Sequence, residues 1–273
     1  MKLLSLVFLA ILITACGGGS AQPANASAEP SAPSATEIVD LSYPFDENTV
    51  YWVTAETFKH DKVFEGRNPN GFFYSAYNYS GAEHGGTHID SPIHFAEGKL
   101  TVDDIPLEKL IGDGFKVDVS AKTVNDRDYL VRVADLEEWE KRNGRIPDGA
   151  ILLLQTGFGK FYPDKEKYLG TAERGDAAVA KLSFPGLDPA ATKWLVENRT
   201  INAIGIDTAS IDRGKSELFE SHVALMTNDI PAFENVANLD KLPEKGFRII
   251  ALPMKIKGGS GAPLRIIAEV PKK

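Results

Sequence analysis

The sequence predicts a mixed α/β domain on a sheet able to curl into a barrel. Three observations carry this expectation. Ala150-Ile151-Leu152-Leu153-Leu154 and Ile201-Asn202-Ala203-Ile204-Gly205-Ile206 are apolar runs of strand length, the mark of strands buried on both faces. Segments of β type outnumber those of helical type, and the two alternate only in part. Of 273 residues, 43% are hydrophobic, enough to bury one large core.

In chain order, Ile38-Val39-Asp40-Leu41 reads as a first short strand, stopped by Ser42-Tyr43-Pro44. Thr49-Val50-Tyr51-Trp52-Val53 is β-branched and aromatic, and reads as a second strand or an extended loop. Residues 54–71 are polar and close on the turn signal Arg67-Asn68-Pro69-Asn70-Gly71. Phe72 to Tyr79 reads as a strand whose aromatics can line a pocket, with ordinary sheet packing claiming at least half of them. Thr101 to Leu110 reads as a short helix or turn, with Ile111-Gly112-Asp113-Gly114 as its stop, followed by a strand from Phe115 to Val119. Val133 to Arg142 is a helix offering Ala134, Leu136 and Trp139 to one face and ending at Asn143-Gly144. Residues 158–185 read as a long polar connection. Asp188 caps a helix that runs to Asn198, with Pro189 in its first turn and Ala191, Trp194 and Leu195 on its inner face. Phe247 to Leu252 and Leu264 to Val270 are further strands, separated by Lys257-Gly258-Gly259-Ser260-Gly261-Ala262-Pro263.

The formal net charge of −8 argues against a nucleic-acid partner, which rewards basic patches. With one cysteine, Cys16, the chain has no intramolecular disulfide. The start is distinctive. Met1-Lys2 is followed by an apolar run from Leu3 to Ile13, too short for a span of ~20 residues. Ile13-Thr14-Ala15-Cys16 then resembles the lipobox of bacterial lipoproteins, the competing reading being an ordinary signal peptide that contains a cysteine. The resemblance implies cleavage before Cys16, lipidation of that cysteine, and export to the cell envelope; Gly17 after it resembles the outer-membrane default of Gram-negative lipoproteins. Residues 17–36 are rich in Gly, Ser, Ala and Pro and bury too little surface to offset ordering entropy. The expected organisation is therefore a lipoprotein signal peptide at 1–15, a disordered tether at 16–36, and one folded domain at 37–273.

The chemistry concentrates in Glu83-His84-Gly85-Gly86-Thr87-His88-Ile89-Asp90-Ser91-Pro92-Ile93-His94, which holds three of the chain's five histidines. His84, His88, Asp90 and His94 share one face of an extended strand, because side chains alternate. His88 and Asp90 would stand ~7 Å apart at Cα, close enough for their side chains to converge on one ion. His84 and His94 would stand ~33 Å apart on a straight strand, so the chain must bend at Gly85-Gly86 and at Pro92 for all four to meet. Imidazoles with a carboxylate suit Zn²⁺, Mn²⁺ or Fe²⁺. Of the other two histidines, His60 sits in a polar loop and reads as surface, whereas His222 lies in Glu220-Ser221-His222-Val223-Ala224-Leu225, upstream of Glu234, a carboxylate in an apolar setting. Spacing alone does not select His222 and Glu234 as ligands.

The run His84-x₃-His88-x-Asp90-x₃-His94 resembles the signature of the cyclase superfamily, which includes bacterial kynurenine formamidases and isatin hydrolases. The resemblance continues through Gly205-Ile206-Asp207-Thr208, His222, Pro231-Ala232-Phe233-Glu234-Asn235 and the closing Gly258 to Pro263, and covers most of residues 37–270. It implies a swivelling β/β/α domain with a central barrel-like mixed sheet, usually assembled as a homo-oligomer. It implies that His84, His88 and Asp90 are ligands of a first metal, and that Asp90 bridges to a second in dinuclear members. His222 then matches a ligand of the second ion, Glu234 a ligand shared by both, and His94 the proton-transfer residue. Trp52 lies near the position of a substrate-contacting tryptophan, and Phe73 is a further candidate for stacking on an aryl substrate. The implied cofactor is one or two divalent ions, Zn²⁺ or Mn²⁺. The implied activity is hydrolysis of a small aryl amide, N-formylkynurenine first and isatin or another cyclic amide second. The length of the chain before the motif and at 158–185 looks at least as close to isatin hydrolase. A metal-binding lipoprotein without catalysis is the rival from another class.

Overall fold

The computed structural model describes residues 35–272. The signal peptide and Cys16 lie outside the described residues, as does the expected tether except for Ala35 and Thr36, the latter already in a strand. No described helix is long and apolar enough to cross a membrane.

Twelve strands are present among the described residues: β1 (Thr36–Asp40), β2 (Lys59–Arg67), β3 (Phe73–Ser80), β4 (His88–Asp90), β5 (Ile111–Asp118), β6 (Leu130–Val131), β7 (Ile151–Gln155), β8 (Gly186–Leu187), β9 (Ala203–Ile206), β10 (Ala232–Glu234), β11 (Lys245–Pro253) and β12 (Gly261–Pro271). The main sheet runs β1-β12-β11-β5-β7-β9-β10-β4, and β4 also pairs with β12, so seven strands close into a mixed barrel. Closure depends on the length of β12. Its first residues, Gly261 to Pro263, pair with β4, while Ile267 to Pro271 pair with β1 on the same edge. β5, β7, β9 and β10 run parallel in sequence order, and the remaining contacts of the ring are antiparallel.

The apolar runs are explained by burial on two faces. Ile151 and Leu153 join Ile89, Phe233, Ile249 and Ile266 in a cluster contributed by the strands of the ring. Leu152 and Leu154 join Leu136, Trp139 and Leu195 beneath the helices Val133–Asn143 and Pro189–Asn198. Asp188 caps the second of these through the Ala190 amide at 2.8 Å. On the first, Leu136 and Trp139 are buried as expected, but Ala134 is exposed and Asp135 takes the inner position, where it accepts the Tyr129 hydroxyl.

Four expectations are corrected. Residues 59–67 are the strand β2, paired with β3 in a two-stranded hairpin exposed on both faces. Without a buried face there is no alternation to read. Ile111-Gly112-Asp113-Gly114 is no stop but the first half of β5, and a Cβ on Gly114 would meet the Phe247 ring at 2.1 Å; that glycine marks close packing, not a turn. Residues 158–185 carry a packed unit: Phe158, Tyr168, Leu169, Leu182 and Phe184 are buried with Val50 and Val53. Gly261 to Pro263, read as a separator, belong to β12, and the helix Glu220–Thr227 was not anticipated.

Candidate metal centre

The site lies at the seam where β4 joins the ring. Along β4, Ile89 points into the apolar cluster and His88 and Asp90 point to the opposite face. β10 pairs antiparallel with β4, so Glu234 stands directly opposite His88. His84 reaches the same point because the chain turns at Gly86, whose φ of 56° favours glycine. Past β4, a 3₁₀ turn over Pro92–His94 brings His94 back beside His84, their rings stacked with centroids 3.8 Å apart. His222 enters from the helix Glu220–Thr227.

Two groups of ligand atoms result, His84-His88-Asp90 and Asp90-His222-Glu234, each with its atoms within 4.8 Å of one another. Asp90 belongs to both. Its Oδ1 lies 2.6 Å from His84 Nδ1 and 3.2 Å from His88 Nε2, and its Oδ2 lies 3.0 Å from His222 Nε2. Glu234 lies 3.5 Å from His88 Nε2 and 3.1 Å from His222 Nε2. Each imidazole is held from behind by its other nitrogen. His88 Nδ1 donates to the Gly86 carbonyl at 2.9 Å, His222 Nδ1 to Asp212 at 2.7 Å, and His84 Nε2 meets the Ser260 hydroxyl at 2.9 Å. That hydroxyl donates in turn to Glu83 at 2.7 Å. Gly261 makes the approach of β12 feasible, since a Cβ there would meet His84 Cε1 at 2.5 Å.

The electrostatics fit a divalent cation. Asp90 and Glu234 are two neighbouring carboxylates, 1% and 4% exposed. Burial alone would push the Asp90 carboxyl up, but His84 and His88 hold it well below the usual range. Burial, reinforced by the charge of Asp90, raises Glu234. Burial would lower His88, yet Asp90 and Glu234 carry it up to about 9. Charge of this density is costly to bury unless paired, and a cation shared by both carboxylates is the economical partner. The residues present therefore fit a divalent metal, with three imidazoles and two carboxylates and no thiolate. His94 belongs to neither group, and burial, against the pull of Asp90, pushes it down to about 4.

A cavity of about 260 Å³ opens onto these residues. Trp52 lines it, with Val50, Tyr51, Phe95 and Phe219. Trp52 meets Phe219 edge-on at 6.1 Å, and Phe219 packs on Phe95 at 5.4 Å. Phe73 is not brought here. It stands 62% exposed on the β2–β3 hairpin, which the ring strands do not touch through backbone pairing, and it does not line the cavity of its own chain. His60 is an exposed hairpin residue stacked on Tyr77, consistent with its reading as surface. Sequence reasoning missed Phe95, Phe219 and Asp212. Phe95 follows His94 directly, but nothing local distinguishes Phe219 or Asp212.

The model of the Cyclase family matches residues 39–213 of this chain. The chain belongs to the Cyclase family. Among curated proteins, it is 32% identical to the isatin hydrolase of Roseibium aggregatum over 198 residues, 70% of this chain and 73% of that one. It is 27% identical to the kynurenine formamidase of Paracidovorax citrulli over 188 residues, 69% and 76% of the two chains. Among solved structures, isatin hydrolase A from Labrenzia aggregata bound to benzyl benzoate superposes with a TM-score of 0.79 at 30% identity, covering 87% of this chain and 94% of that one. An isatin hydrolase bound to the product analogue thioisatinate gives 0.79 at 28% identity, with 87% and 93% covered.

Proposed function

We infer that the protein hydrolyses the C–N bond of a small aryl amide at a divalent metal centre. The observation that carries this is Asp90 set between two ligand groups, with His94 beside them but in neither, at the floor of an aromatic cavity. His84, His88, Asp90, His222 and Glu234 would hold one or two ions, Zn²⁺ or Mn²⁺ on the chemistry of the donors. A metal bound there supplies polarisation of the amide carbonyl and a water of lowered pKa. The chain supplies the rest. Trp52, Phe95 and Phe219 exclude water and present apolar surface to an aryl ring. His94, neutral near pH 7, accepts a proton from the attacking water and returns it to the nitrogen as the C–N bond breaks, leaving an amine and a carboxylic acid.

The cavity favours an uncharged amide of isatin type. Among the described residues lining it there is no lysine or arginine to meet the α-carboxylate of an amino acid. N-formylkynurenine is the second reading, supported by the kynurenine formamidase relatives. The test is a side-by-side hydrolysis assay of metal-loaded protein on isatin and N-formylkynurenine. A kcat/KM at least ~10-fold higher for isatin agrees with the lining, and turnover of neither removes the aryl-amide assignment.

Two further proposals rest on the sequence and on kinship. Cys16 is lipidated and tethers the domain to the envelope, outer membrane or periplasmic side; recovery of the protein in the soluble fraction of its host would reject this. The protein self-associates, and a single-chain mass by light scattering would reject that.

A further inference from the structure

We propose that Asp212 is a positioning residue that locks the His222 imidazole for the ion position formed by Asp90, His222 and Glu234. The inference rests on the metal-centre reading above. Asp212 is not in either ligand group and is 2% exposed. Its Oδ2 accepts the His222 ring Nδ1–H at 2.7 Å and the His222 amide at 3.1 Å, and its Oδ1 accepts the Ser221 amide at 3.0 Å. Because Nδ1 donates to this carboxylate, the lone pair of the neutral ring is on Nε2, the nitrogen that faces Asp90 and Glu234. A carboxylate behind an imidazole both fixes its tautomer and strengthens the facing nitrogen as a donor.

The three ligand histidines differ in this respect. His88 is backed by a neutral carbonyl, Gly86 O, and His84 by the Ser260 hydroxyl, with Glu83 one bond further out. Only His222 is backed directly by an anion. The same carboxylate holds the amides of Ser221 and His222, the second and third residues of the helix Glu220–Thr227 that His222 rides on, just after Phe219 turns through a φ of 48°. One group thus sets both the position of the backbone and the rotation of the ring. Its removal should weaken the His222 position and spare the His84-His88 position.

The test is Zn²⁺ titration of the metal-stripped full chain against a chromophoric chelator, for the wild type and for Asp212→Asn, Asp212→Ser, His222→Ala and His84→Ala. The affinity lost in His222→Ala is expected to weaken 10- to 100-fold in Asp212→Asn. The affinity lost in His84→Ala is expected to change less than about three-fold, on the independence of separately backed ligands. Asn keeps the shape but places an amide donor against backbone N–H groups; Ser keeps an acceptor and serves if Asn fails to fold. A ¹⁵N spectrum of the imidazoles in the Zn²⁺-loaded protein reads which nitrogen carries the proton and which faces the ion. A single His222 state in the wild type, with the proton on Nδ1 and the ion at Nε2, and loss of that single state in Asp212→Asn support the proposal, a change that a purely helix-capping role would not produce. Equal loss at both positions, no loss at either, or an unchanged His222 signature overturns it. A wild type that binds no Zn²⁺ at all removes the metal-centre reading and this proposal with it, whereas tight wild-type binding untouched by Asp212→Asn removes this proposal alone.

Discussion

At the level of single residues, His94 and the ligand histidines are separated by position, not by chemistry. All four are imidazoles near Asp90, but His94 falls outside both ligand groups and burial leaves it neutral, with a pKa of about 4. His94→Ala is therefore expected to keep its metal while kcat falls 10²- to 10⁴-fold, on the scale of general acid–base catalysis. Metal analysis and kinetics on one preparation check this, and loss of the metal would make His94 a ligand. The sign of the pH effect follows from the same value. A base with a low pKa is already deprotonated at pH 7, so kcat/KM should not fall through His94 until the pH drops toward 4. Trp52 and Phe73 are separable too. Trp52→Ala opens the cavity wall and should raise KM several-fold, whereas Phe73→Ala, on an exposed hairpin, should leave the kinetics of the isolated chain unchanged. The motif itself was legible because His88 and Asp90 are two residues apart on a strand. Asp212 was not, because it acts on a ring ten positions later through a fold contact that leaves no periodic trace.

At the level of elements, the helices Val133–Asn143 and Pro189–Asn198 are joined at their ends as well as over the core. Glu140 accepts Arg199 Nε at 2.7 Å and also takes the Ile146 amide at 2.8 Å. The hydrogen bond from Arg199 is the main cause that holds Glu140 below the ordinary glutamate value. A carboxylate depressed in the folded state stabilises above its unfolded pKa, near ~4.3, and that stability is lost as the pH falls through the folded value. Glu140→Gln should cost about 1–2 kcal/mol at pH 7, a difference from the wild type that shrinks as the pH is lowered below ~4. Denaturant unfolding at several pH values measures it. The strand β2 is the element whose sequence was least readable. It buries almost nothing in this chain, so its composition alone resembled a polar loop, whereas the aromatic run of β3 reads as a strand.

For the whole molecule, the seam is where a bound metal and the fold would be coupled. β4 carries His88 and Asp90 and is hydrogen-bonded to β10 on one side and β12 on the other, while Glu234 sits on β10. An ion at the centre would therefore tie β4 and β10 together and tie both to the helix of His222. Chelation should lower the midpoint of thermal unfolding, and at 100 to 1,000 times Kd the bound metal should contribute about 2.7–4.1 kcal/mol. Calorimetry with and without a chelator tests this, and identical midpoints would uncouple the ion from the seam. The affinity itself should depend on pH. With no ion, Asp90 and Glu234 keep His88 protonated up to about pH 9, and binding must displace that proton. Metal affinity is thus expected to rise from pH 7 toward 9 and to fall on acidification, with proton release visible as a heat that depends on the buffer.

The sequence by itself determined the buried strands β7 and β9, the capped helix at Asp188, and the central candidate ligands, because strand alternation, helix caps and two-residue spacing act over a few neighbours. Kinship with the cyclases extended this to His222 and Glu234. Tertiary structure alone decided that the sheet closes through β12 pairing with β4, that Asp90 offers one oxygen to each ligand group, that Phe219 and not Phe73 walls the cavity of the single chain, and that Asp212 stands behind His222. Each of these depends on contacts between segments whose separation along the chain is set by loops and strand order, and no local pattern encodes where such segments meet.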